Sequence, residues 1–197
     1  TGPAAVLGFS AGAVPALHFA ARHPDLCKVL GLLVPAVTLG DVRPAPEGGL
    51  IAKSFVEYAV QSDFLFWLGC QYSPTRIYGS FLATNPDLIA AASPKEQARA
   101  AAMMWNILPI SPRSAGLLND VKFTSTPLSI DLSKLSVPTL LISFEDDLYG
   151  TAKSARTIAG QIHDARLKIY PTGGHIFIGH ASDVFTQATE FVREHLN

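Results

Sequence analysis

The chain has 197 residues, 48% of them hydrophobic and 16% charged, with 15 Lys and Arg against 16 Asp and Glu for a formal net charge of -1. That balance leaves no positive excess to neutralise phosphates, which argues against a nucleic-acid binder, and the apolar content excludes an intrinsically disordered chain. At roughly 100–200 residues per domain, the length fits one domain, or one domain carrying an insertion, with a sizeable core.

The first stretch, residues 1–21, carries no Asp, Glu, Lys or Arg. Gly2, Pro3, Gly8, Gly12, Pro15 and His18 interrupt it, so it reads as a strand, a turn and a helix and not as a membrane span. The apolar run Ala4–Leu7, ended by Gly8, suits a strand buried on both faces. Ala11–Arg22 has helical spacing, with Val14, Leu17, His18 and Ala21 on one side, and His23–Pro24–Asp25 stops it. Val29–Val34 is a second strand. Thr38–Gly49, rich in Gly and Pro, reads as loop. Leu50–Leu68 and Leu88–Leu108 read as helices, the second entered through Ser93–Pro94–Lys95–Glu96, a capping pattern with Pro at the first helical position. Aromatic residues gather here: Phe55, Tyr58, Phe64, Phe66, Trp67, Tyr72, Tyr78, Phe81 and Trp105. They fill the core of a small helical layer, or some line an apolar substrate pocket. Thr139–Ser143 is a third strand behind Pro138, Ala152–Ile162 a helix, Leu167–Tyr170 a fourth strand and Asp183–Leu196 a closing helix. Strands alternating with helices imply parallel βαβ units. Cys27 and Cys70 are too few for a disulfide framework or a four-ligand zinc site and read as two separate buried thiols. No export signal is visible, and the expectation is a cytoplasmic protein.

Gly8–Phe9–Ser10–Ala11–Gly12 matches G-x-S-x-G between an apolar strand and a helix. A sharp strand-to-helix turn there lifts the serine onto a strained corner, and the glycines on either side let backbone pass close by. The helix N-terminus offers N–H groups to a developing oxyanion, that of Ala11 among them. A serine hydroxyl needs a base. His175 follows a strand and two glycines, which leaves its ring exposed at a strand end. His18 lies inside the first helix, His23 at its end, and His163 and His195 near helix ends. His180, five residues after His175, borders the pocket or caps the next helix. A metal held by His175 and His180 would lack an obvious third ligand. The base needs a carboxylate to fix its tautomer. Asp146 and Asp147, in the turn after the third strand, are the candidates, one capping a helix while the other faces the histidine. The chain order Ser10, Asp147, His175 is that of one large enzyme class.

From the elbow to the C-terminus, the chain resembles the second half of an α/β-hydrolase. In that family the acid sits in a G-x-x-D-like turn after the seventh strand. Phe144–Glu145–Asp146–Asp147 fits with Phe144 in the glycine position, which points to Asp147 and keeps Asp146 as the substitute. The family's histidine follows the eighth strand in a Gly-His pair, matched by Gly174–His175. The resemblance implies an α/β fold of about four parallel strands with flanking helices, a core from residues 1–35 and 136–197, and a helical cap inserted over 36–135. It implies catalysis by Ser10, Asp147 and His175 with Ala11 in the oxyanion hole, no cofactor and no metal, and a small-molecule substrate. The family's earlier strands precede the elbow. The expectation is therefore that a preceding segment or another chain completes the sheet and supplies the second oxyanion donor; otherwise the elbow strand presents an open apolar edge. The reading that follows is a serine hydrolase cleaving an ester or similar acyl bond of an apolar substrate. A carbon–carbon bond hydrolase, a cofactor-free haloperoxidase-like enzyme and a non-catalytic ligand-binding domain are the alternatives.

Overall fold

Apolar and β-branched runs form a parallel sheet whose strands pair in chain order: β1 (Ala4–Phe9), β2 (Cys27–Leu33), β3 (Thr139–Phe144) and β4 (Ala165–Tyr170). The computed structural model describes residues 2–40, 42 and 60–196. Strands β2 and β3 lie inside the sheet, and every residue of β3 is buried. Strand β1 departs from the expectation of burial on both faces. Among the described residues it pairs with β2 alone, and its Leu7 and Phe9 are 56% and 43% exposed. It also runs through Gly8 to Phe9, because backbone pairing with β2 continues through Gly8↔Leu32 and Phe9↔Leu33. Cys27 and Cys70 are both free and buried.

Helices cover both faces. On one, α1 (Ala13–Arg22) and a helix we number α7 (Thr151–Ala159) bring Ala13, Leu17, Ala155 and Ile158 against Leu30, Leu32 and Leu141. On the other, α8 (Ala181–Leu196) packs Val184, Ala188 and Phe191 on Val29, Leu140, Ile142 and Phe144. Alternating strand side chains thus feed two cores, as a parallel sheet covered on both faces requires.

Between β2 and β3 the described residues form a separate helical layer: α2 (Asp63–Tyr72), α3 (Pro74–Ser80), α4 (Pro86–Ala91), α5 (Pro94–Trp105) and α6 (Ser114–Ser125). Residues 50–59 of the expected helix Leu50–Leu68, with Phe55 and Tyr58, lie outside the described residues, as does most of the expected loop Thr38–Gly49. The expected helix Leu88–Leu108 is two helices. Ala92 and Ser93 adopt extended ψ values of 167° and 154°, since the residue before Pro94 is pushed out of the helical region and Ser93 caps the Glu96 amide at 3.4 Å. Of the aromatic set, Phe66 is buried in the layer's own core, while Phe64, Trp67 and Tyr72 are exposed. That core includes Ile176 and Ile178, which belong to the loop after β4. No described helix is long and apolar enough to cross a membrane.

The two glycines of the elbow are not equivalent. A Cβ on Gly8 would lie 2.8 Å from the Ala13 Cα and the Gly12 carbonyl oxygen and 2.9 Å from the Ala16 Cβ, whereas a Cβ on Gly12 meets nothing within 4 Å. Close approach therefore explains Gly8 and corrects the reading that both glycines serve it. Gly8→Ala is expected to destabilise the protein by about 1–3 kcal/mol through overpacking against backbone, and Gly12→Ala to change stability by no more than about 0.5 kcal/mol. Thermal denaturation of the two variants checks this; equal losses would refute it.

Candidate active site

At the end of β1 the chain turns into a short 3₁₀ segment, Ser10–Gly12, that runs on into α1. Ser10 sits at φ 52°, a left-handed conformation that a serine adopts only at a cost of about 1–3 kcal/mol. Its carbonyl accepts from the Ala36 amide at 3.1 Å, which ties the corner to the segment after β2. Ala11 stands in the first turn of this helical run, where amides lack helical partners.

His175 lies in the loop after β4. Its Nε2 is 2.8 Å from the Ser10 Oγ and its Nδ1 2.8 Å from the Asp147 Oδ2. The side chains of His175 and Asp147 are 6% and 0% exposed, so the ring is buried and not exposed as its place at a strand end suggests. The Asp147 Oδ1 accepts from the Tyr149 amide at 2.9 Å, and Oδ2 also accepts from the Thr151 hydroxyl. Thr151 has a single hydroxyl proton. With that proton given to Asp147, the Ser143 hydroxyl 2.8 Å away must donate to Thr151. A buried chain of donors thus runs from Ser143 through Thr151 to the carboxylate. With Asp147 accepting from Nδ1–H, the neutral imidazole offers its Nε2 lone pair to the Ser10 hydroxyl.

Asp146 faces elsewhere. Its Oδ2 and Oδ1 accept from the amides of Gly173 and Gly174 at 3.1 and 2.8 Å, so it holds the turn that leads into His175. Gly173 and Gly174 have φ values of 145° and 60°, and a Cβ on Gly174 would come within 2.5 Å of Thr84. These constraints explain the glycine pair before the histidine.

Two rings flank His175: Phe9 at 5.4 Å and Tyr149, edge to face, at 5.0 Å. Burial, then the negative charge of Asp147, pushes the Tyr149 phenol up to about 12. It is a neutral wall at physiological pH, and its hydroxyl donates to the Phe81 carbonyl of the helical layer at 3.2 Å. Neither Phe9 nor Tyr149 belongs to the aromatic set singled out in the sequence, and the signal for both was their place beside Ser10 and Asp147. Thr151, the first residue of α7, carries no such signal, because Asp147 lies in the turn before the helix and the left-handed Gly150 separates the two.

Among the described histidines, His175 is the one that bonds Ser10. The His180 ring packs on Tyr170 at 4.6 Å and Phe144 at 5.8 Å, while its carbonyl accepts from the Val184 amide at the start of α8. His195 contacts the Phe191 carbonyl, and His23 ends α1. The His18 Nδ1 is buried without a partner among the described residues.

A family model described as "Serine aminopeptidase, S33" matches residues 1–180. No curated protein matches the chain. Solved structures do. An α/β-hydrolase fold protein from Nakamurella multipartita is 23% identical, with a TM-score of 0.63 over 97% of this chain and 69% of that one. An esterase from Exiguobacterium antarcticum is 19% identical, with a TM-score of 0.64 over 98% of this chain and 67% of that one. The enol-lactonase from Burkholderia xenovorans LB400 is 19% identical, with a TM-score of 0.68 over 97% of this chain and 66% of that one. The chain therefore spans about two thirds of the length of these structures.

Proposed function

Because the chain belongs to the serine aminopeptidase S33 family and has the α/β-hydrolase fold, we propose that it carries the triad of a serine hydrolase acting on an ester or similar acyl bond. The observation that carries this reading is the unbroken contact from the Ser10 Oγ through both nitrogens of His175 to Asp147, each step 2.8 Å long.

In the proposed mechanism the Ser10 oxygen attacks the acyl carbon while the His175 Nε2 takes its proton. Asp147 stabilises the imidazolium formed, and the Ala11 amide donates to the oxyanion. The imidazolium then protonates the leaving group, which departs and leaves an ester on Ser10. Water attacks that ester with His175 again as base, which releases the acid and restores the serine. The helical layer, joined to the acid and histidine loops, acts as a cap over the strand ends, and an apolar acyl group suits the walls formed by Phe9 and Tyr149. Asp146 and Asp147, the two carboxylates of the turn after β3, are both committed, Asp147 to His175 and Asp146 to backbone amides.

Labelling of the full-length protein by a fluorophosphonate is expected, and to vanish in Ser10→Ala and His175→Ala. Turnover of p-nitrophenyl butyrate is expected to exceed that of an aminoacyl naphthylamide. A protein that is folded yet takes no probe would sink the triad reading and leave a ligand-binding domain on the same fold.

A further inference from the structure

The loop that carries His175 is held from outside its own sheet. In α5, Glu96 and Arg99 lie one turn apart and pair, with Arg99 Nη2 2.8 Å from Glu96 Oε2. The same Nη2 donates to the Ile176 carbonyl at 2.8 Å, and the same Oε2 accepts from the Gly179 amide at 2.9 Å. The pair therefore brackets residues 176–179, one end on a carbonyl and the other on an amide, immediately after the histidine. Both side chains are largely shielded, at 28% and 17% exposure, unlike the Arg166–Glu194 pair, at 56% and 54%.

The bracketed loop needs such a hold. Phe177 has φ 63°, a left-handed conformation for a bulky residue that persists only where the surroundings fix it. Gly179 has φ 77°. Ile176 and Ile178 are buried in the helical layer's core beside Ala100 and Met104 of α5. The Ile176 amide also points to the Thr84 hydroxyl at 3.4 Å. Polar and apolar contacts together make the loop part of the layer as much as of the sheet.

We propose that Glu96 and Arg99 are positioning residues that set the His175 imidazole against Ser10 by fixing the loop from the helical layer. The proposal rests on His175 being the base of Ser10. A shift of the loop moves Nε2 away from a hydroxyl it must meet within hydrogen-bond distance, and a misplacement near 1 Å can cost about 100-fold in rate. Loss of one of several restraints is expected to cost less, about tenfold.

The test uses the full-length protein, p-nitrophenyl butyrate and a fluorophosphonate. Arg99→Ala is expected to lower kcat about tenfold with KM within about twofold, and to slow labelling by a like factor. In a His175→Ala background the same change is expected to leave the residual rate unaltered, because its effect passes through the imidazole. Arg166→Ala, which breaks the exposed pair, is expected to leave kcat unchanged. Should Arg99→Ala fail to fold, Glu96→Gln serves in its place. An unchanged kcat in Arg99→Ala, or an equal loss in both backgrounds, would overturn the positioning role. If the unmodified protein neither turns over the ester nor takes the probe, the serine-hydrolase reading itself falls and the positioning role falls with it.

Discussion

Ser10→Ala and His175→Ala are each expected to lower kcat for ester hydrolysis by about 10⁴- to 10⁶-fold, and the double variant to fall no further. The size follows from the chemistry. A serine hydroxyl is almost wholly protonated at neutral pH, so attack requires its proton to leave as the bond to carbon forms. The His175 Nε2, 2.8 Å from that oxygen, is the acceptor within reach. Remove the acceptor and the oxygen stays neutral; remove the oxygen and the acceptor has nothing to activate. The two act as one unit, so their losses do not add. Binding and the Ala11 amide would still contribute, which leaves a residual rate above that of water. Substrate affinity should change little, since neither atom holds the substrate in its ground state. Steady-state kinetics of the three variants at one pH checks this. Either single variant retaining a tenth of the activity would place the chemistry elsewhere.

The parts of this site that are local in the chain were legible in the sequence, and those that depend on distant partners were not. The elbow is local as a signal: an apolar run, two glycines and a serine before a helix lie within a dozen residues. The Gly-His pair after β4 is as short a signal, although its glycines answer to Thr84 and Asp146 far away in the chain. The neighbouring aspartates are different. Adjacent side chains in an extended turn point to opposite sides, so one residue of register decides which faces the imidazole, and composition is silent on that choice. The partners that separate their roles, His175 for Asp147 and Gly173 and Gly174 for Asp146, lie 27 and 28 residues away. The Glu96–Arg99 bracket is harder still. The sequence shows an ordinary pair on a helix surface, and only the packing of that helix on a loop 77 and 83 residues downstream gives it a second use. The split of the expected helix Leu88–Leu108 was legible in principle. Ser93–Pro94 is a start signal, and a start signal inside a helix is also a stop for what precedes it.

The two aspartates supply the second large effect. Asp147→Asn is expected to lower kcat by about 10⁴-fold while the fold survives. The amide is nearly the shape of the carboxylate, but it places a donor where both the His175 Nδ1–H and the Thr151 hydroxyl now meet an acceptor. If the amide turns its nitrogen towards the ring, Nδ1 must accept, the ring proton moves to Nε2, and Nε2 can no longer take a proton from Ser10. If it turns its oxygen that way, the tautomer survives but the negative charge that stabilises the imidazolium is gone. Asp146→Asn should behave differently. Its two oxygens accept from two backbone amides that point at them from Gly173 and Gly174. The asparagine keeps one acceptor and opposes a donor to the other amide, which costs about 1.5–3 kcal/mol of stability, the range for hydrogen bonds to a charged group. The histidine retains its own carboxylate, so kcat should fall by less than about tenfold, short of the ~100-fold of an ångström's misplacement. Melting temperatures and kcat measured side by side separate the roles: Asp147→Asn folded and nearly inactive, Asp146→Asn active and less stable. The reverse pattern would make Asp146 the triad acid and would mean that the loop after β3 turns one residue further than its hydrogen bonds to Tyr149 and Thr151 describe.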